Sequence, residues 1–82
     1  MIDDILKERG DRYGSFEDNS KVSQQIKDIL HAGSSWGKCD YHQKEALEMI
    51  AHKIARIING DPDYKDSWTD IIGYARLVEE TL

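Results

Sequence analysis

Four groups of side chains in this sequence have the types and spacing to do chemistry. Glu45 and Glu48 stand at i and i+3, which puts both carboxylates on one side of a helix, where they can share a hard cation such as Mg²⁺. His52 falls on the same stripe, one turn beyond Glu48. That stripe lies opposite the isoleucine face of the segment, so a solvated surface is the competing assignment. Lys53 and Arg56, again at i and i+3, flank the apolar face. Cations there either pair with carboxylates of a neighbouring helix or hold the phosphates of a nucleotide.

Asp66 and Asp70, at i and i+4, stack on one stripe with Gly73, Tyr74 and Leu77. The stripe faces the core side, and a carboxylate there needs a cation: Lys53, Arg56 or a metal. In the competing assignment Asp66 caps its helix and Asp70 pairs with Lys53 or Arg56. The fourth group is Arg12-Tyr13-Gly14-Ser15-Phe16. Glycine permits a turn with positive φ, while the arginine and tyrosine can lean on a ligand or on a neighbouring helix. Trp36 and Trp68 offer faces for a base to stack on, or else belong to a core or interface. A Gly-rich phosphate loop, a CxxC pattern and a Ser-His-Asp arrangement are all absent.

Helices must position these groups, because the β-branched residues do not alternate with polar ones and Pro62 is the single proline. A short first helix is expected from about Ile2 to Glu8, stopped by Gly10. Ser15 caps the second, with Asp18 at its third position, and Gly33 ends it after Ala32. Asp40 and Gln43 form a capping box for the third, from Tyr41 to about Ile58. Its Ala46, Leu47, Ile50, Ile54, Ile57 and Ile58 share one face. Asn59-Gly60 closes it, and a fourth helix starts near Asp66 or Ser67. The expected fold is all-α: an antiparallel bundle of three long helices and one short N-terminal helix, in a single domain over residues 1–82.

With 82 residues, much of the surface stays exposed, so a homo-oligomer is expected. A net charge of −5 argues against a nucleic-acid backbone as partner of the surface as a whole, though not against a local basic pocket. One cysteine, Cys39, excludes an internal disulfide and suits a reducing compartment. The acidic Met-Ile-Asp-Asp start lacks an apolar signal region. No apolar run approaches the ~20 residues of a membrane span. A cytoplasmic protein without membrane contact is expected.

The runs Lys53-Ile-Ala-Arg56-Ile, Gly60-Asp and Asp66-Ser-Trp-x-Asp70-Ile-x-Gly73-Tyr74-Ala75, together with Arg12 to Phe16, resemble those of small phage and prophage proteins of unassigned function. Those proteins are in turn similar to the MazG-like all-α nucleotide pyrophosphohydrolases. The resemblance implies a helical oligomer that cleaves nucleoside triphosphates to monophosphate and pyrophosphate with Mg²⁺ held by ExxE on one helix and ExxD on the next. Glu45 and Glu48 match the first pair as a pattern. Asp70 stands at the final aspartate, Ser67 replaces the glutamate, and Asp66 is its nearest substitute. A second alignment places Lys53 and Arg56 where the first acidic pair should be.

Three functions follow as expectations. In the first, Glu45, Glu48, Asp66 and Asp70 hold Mg²⁺ for hydrolysis, Arg12, Lys53 and Arg56 steady phosphates, and Tyr13, Trp68 or Tyr74 meets the base. In the second, the same cations bind a nucleotide without turnover. In the third, a small acidic protein docks on a host protein, as an inhibitor of a defence system would.

Overall fold

Local signals set the helix ends in the computed structural model, which describes residues 1–82. Helix α1 spans Ile2–Tyr13, α2 Phe16–His31, α3 Tyr41–Asn59 and α4 Lys65–Glu79, with a 3-10 turn at Trp36–Lys38 and no strand. Ser15 caps α2, its Oγ accepting from Asp18 N–H at 3.1 Å. Asp40 and Gln43 form the capping box of α3, and Gln43 Oε1 accepts from Asp40 N–H at 2.8 Å. Helix α4 starts one residue before the expected window, within the ordinary scatter of helix ends.

The first helix differs from its expectation. It does not stop at Gly10 but continues to Tyr13, and Gly14 N–H closes it on Gly10 C=O at 2.9 Å. A glycine inside a helix costs roughly 0.5–1 kcal/mol. Here the cost is offset by docking of the last turn, described below.

Helix α3 is the hub. It packs along α2 and α4, touches α1 sparsely, and leaves α2 and α4 scarcely in contact with each other. Both seams are antiparallel. Towards α2, Glu48 Oε1 lies 3.7 Å from His31 Nε2 and Asn59 Nδ2 donates to Asn19 Oδ1 at 3.2 Å. Towards α4, His42 meets Thr81 at 3.0 Å and Lys53 meets Asp70 at 2.9 Å. At about 100° per residue these two sets of α3 residues project roughly 120° apart around the helix. With α2 and α4 scarcely touching, the three helices form an open layer more than a closed bundle.

Small side chains fill the seams: Asn19, Ser23, Ala46, Ala51, Ala55 and Ser67 are buried, with Ile57 the one large apolar residue among them. No large side chain is fully buried. No helix is long and apolar enough to cross a membrane.

Candidate functional site

The end of α1 is latched to the end of α3 by two glycines. Gly14 has φ 82°, and a Cβ there would collide with the Asn59 backbone. A Cβ on Gly60 would collide with the Arg12 and Tyr13 backbone. This close approach lets Asp61 N–H donate to Arg12 C=O at 2.7 Å. Side chains continue the latch as an alternating stack of cations and rings. The Arg56 guanidinium lies 4.4 Å from the centre of Tyr13, whose ring meets Tyr64 edge-on at 5.7 Å, and Arg12 covers Tyr64 at 4.7 Å. Arg12 also donates to Tyr64 Oη at 2.6 Å and pairs with Glu8 at 2.7 Å. Tyr64 in turn donates to Asp66 Oδ2 at 2.9 Å, and that bond raises the pKa of the phenol above its usual 10.0.

The latch walls a cavity of about 370 Å³ between α1, the start of α2 and the side of α3, within the size range of small-molecule sites. Its polar lining includes Arg9, Ser15, Asn19, Ser20, His52 and Arg56, and Leu6, Tyr13 and Phe16 supply apolar surface. No aspartate or glutamate lines it, although acidic residues outnumber lysine and arginine by 16 to 11 in the chain. Neither Arg9 nor Arg56 has a carboxylate within ion-pair distance. The cavity thus offers two free guanidinium groups, hydroxyl and amide groups, and two aromatic rings. That combination suits an anion carrying a flat ring.

The residues singled out in the sequence are divided among several places. Tyr13 and Arg56 line the cavity. Arg12 stands behind it, committed to Glu8 and Tyr64. Lys53, its side chain only 13% exposed, is paired with Asp70. Trp68 lies outside, its indole N–H donating to Pro62 C=O at 2.8 Å, and Tyr74 lines a shallow groove with His42 and Glu45. Asp66 does not cap α4, whose N-cap is Tyr64.

The four carboxylates expected to share Mg²⁺ do not converge. No three His, Cys, Asp or Glu side chains are grouped closely enough to hold a metal ion. The antiparallel register sets Lys53 opposite Asp70, which leaves Glu48 and Glu45 roughly 7–12 Å further along α3 at 1.5 Å per residue. Glu48 faces His31 instead. Within the chain these residues do not fit the metal set that the resemblance implies.

A family described as "Domain of unknown function (DUF6378)" matches residues 3–82. The chain belongs to that family. No curated protein and no solved structure matches it.

In this DUF6378 chain Tyr13, Ser15 and Phe16 belong to the group singled out in the sequence, but other cavity residues do not. Arg9 shares a face with Tyr13, at i and i+4, only if α1 passes Gly10, and the expected stop at Gly10 hides that pairing. Asn19 and Ser20 join the cavity through the Gly14 turn. His52 is visible in sequence, but beside Glu48 it reads as part of an acidic stripe.

His52 also reports the local field. Its pKa is lowered from the usual 6.5, first by burial and then by the charges of Arg56, Lys53 and Lys27; Arg9 shares the cavity with it. The folded state therefore binds fewer protons than the unfolded chain between 6.5 and the lower folded value. Stability from this group is complete above pH 6.5 and is lost as pH falls through the folded pKa. Denaturation midpoints of wild type and His52→Gln, followed from pH 8 to 5, are expected to show a shallower acid-side decline in the variant. Parallel curves would contradict the assignment.

Proposed function

We propose that this DUF6378 protein binds a phosphate-bearing nucleotide in the cavity beneath α1 and does not turn it over. The observation that carries the proposal is the lining itself: Arg9, Arg56 and His52 without one carboxylate, in a chain of net charge −5. Unpaired guanidinium groups suit phosphate oxygens, which they can meet with two parallel hydrogen bonds. Arg56 is already held in place against Tyr13, so less side-chain freedom is lost when an anion arrives. Phe16, 84% exposed at the rim, offers a face for the base.

The absence of turnover is supported by the state of the carboxylates. Asp70 is neutralised by Lys53, and Glu45 and Glu48 stand apart from it along α3. In the second of the two alignments with MazG-like enzymes, Lys53 and Arg56 stand where the first acidic pair would be. A phosphate ester in the cavity would be held by cations, with no carboxylate in the lining to hold a metal ion beside it.

Isothermal titration with a panel of nucleoside mono-, di- and triphosphates tests the proposal, each run with Mg²⁺ and then with EDTA, followed by chromatography of the products. Binding of similar strength in both buffers, with the nucleotide recovered intact, is the expected result. Mg²⁺-dependent formation of a monophosphate would overturn the claim of no turnover. No heat with any nucleotide would overturn the claim of binding.

A further inference from the structure

The layer formed by α2, α3 and α4 has two open faces of opposite character. On one, α3 presents His52 and Arg56, and α1 lies across it. On the other, α3 presents Leu47, Ile50, Ile54 and Ile58, spaced 3, 4 and 4 residues apart, with no charged residue in the stripe. Between α3 and α4 a shallow groove on this face is lined by Leu47, Ile50, Ala75 and Val78. Helical spacing puts Ile29 of α2 on the same side. Ile29, Leu47 and Ile58 are all exposed, Ile58 by 62%. Ile50 and Ile54, between them, are half-buried.

We infer that a second copy of this chain covers this face, two layers packing face to face into a six-helix sandwich. Three considerations select that occupant. First, area: the chain exposes 6132 Å², whereas a compact monomer of its 9.4 kDa mass exposes about 5,000 Å². The surplus of roughly 1,100 Å², shared between the apolar face and the projecting α1, is of the same order as the ~800 Å² that each partner gives to a standard interface. The Cα radius of gyration, 14.1 Å, likewise exceeds the ~12 Å of a compact chain of this length.

Second, stability: with no large side chain fully buried, a single layer lacks the second layer around which domains form their core. The missing layer must be present whenever the chain folds, and another copy always is. Third, symmetry: an uncharged, regularly spaced stripe is complementary to itself about a two-fold axis and carries nothing to select a charged partner. The dimer is independent of the nucleotide site, which lies on the outer face of each layer.

Sedimentation equilibrium and light scattering test the inference. Wild type is expected at twice the chain mass, with a thermal midpoint that rises with protein concentration as mass action requires. Ile58→Glu and Leu47→Glu each place two charges in the dimer interface, and each is expected to weaken association by more than about a hundredfold. Phe16→Glu, at a more exposed position on the other face, is expected to stay dimeric. A helical, cooperatively unfolding wild-type monomer with a concentration-independent midpoint would overturn the inference, whatever the variants do. Dimeric Ile58→Glu and Leu47→Glu proteins would overturn the choice of face.

Discussion

Gly60→Ala is expected to undock α1 and abolish nucleotide binding, although Gly60 does not itself line the cavity. The added methyl would meet backbone atoms of Arg12 and Tyr13, which cannot move aside as a flexible side chain can. Overpacking of this kind costs typically 1–3 kcal/mol, and the hydrogen bond from Asp61 N–H to Arg12 C=O would be lost with it. Helix α1 has few other contacts to resist, touching α3 only sparsely. The α2–α3–α4 layer should therefore persist while the twelve residues of α1 lose their protection. Without α1 the cavity loses Leu6, Arg9, Gly10 and Tyr13 from its wall. Hydrogen exchange read helix by helix, with nucleotide titration of the same sample, checks this. Wild-type protection in α1 of the Gly60→Ala protein would refute the role given to the latch. Gly14→Ala approaches the same contact from the other side, with the added strain of positive φ.

Arg56→Ala carries the second large effect. Hydrogen bonds to charged groups contribute about 1.5–3 kcal/mol, so removing the guanidinium should weaken nucleotide binding roughly 10- to 150-fold. Arg56 also stacks on Tyr13, so part of the loss would come through the latch. Arg56→Lys separates the two contributions, because it keeps the charge but gives up the planar fork and the stacking. It should recover only part of the affinity. Arg9→Ala, which removes a cation with no partner in the fold, should weaken binding without moving the thermal midpoint. Arg76→Ala, at a surface pair with Glu80, should change neither. Equal nucleotide affinity in wild type and Arg56→Ala would sink the proposed site.

Features that depend on neighbouring residues were legible in the sequence. The Ser15 cap, the Asp40–Gln43 box and the long apolar pattern of α3 are all local. So was the possibility that Asp70 pairs with Lys53, since both charges sit near the apolar faces of their helices. Features made by approach across the chain were not legible. Gly14 and Gly60 lie far apart in sequence, and nothing local says that their backbones touch. That contact explains why Gly10 does not end α1: docking of the last turn outweighs a modest helix preference. Because α1 runs on, Arg9 and Tyr13 come to share a wall with His52 and Arg56. The periodicity of α3 marked an apolar face correctly, yet it could not say that α2 and α4 sit on separate flanks and leave part of that face open.

The position of α3 between its two sequence neighbours has a kinetic consequence. Almost all packing joins helices consecutive in the chain, α2 to α3 and α3 to α4, so the layer has a low contact order and belongs with the fast-folding helical topologies. The docking of α1 is the exception. It closes a loop from Arg12 to Asp61, and the entropy of that closure must be met before its few contacts repay it. The layer is thus expected to assemble before α1 docks on it. The cavity, which needs α1 for a wall, is the last part of the molecule to exist during folding and the first to disappear when the protein begins to open.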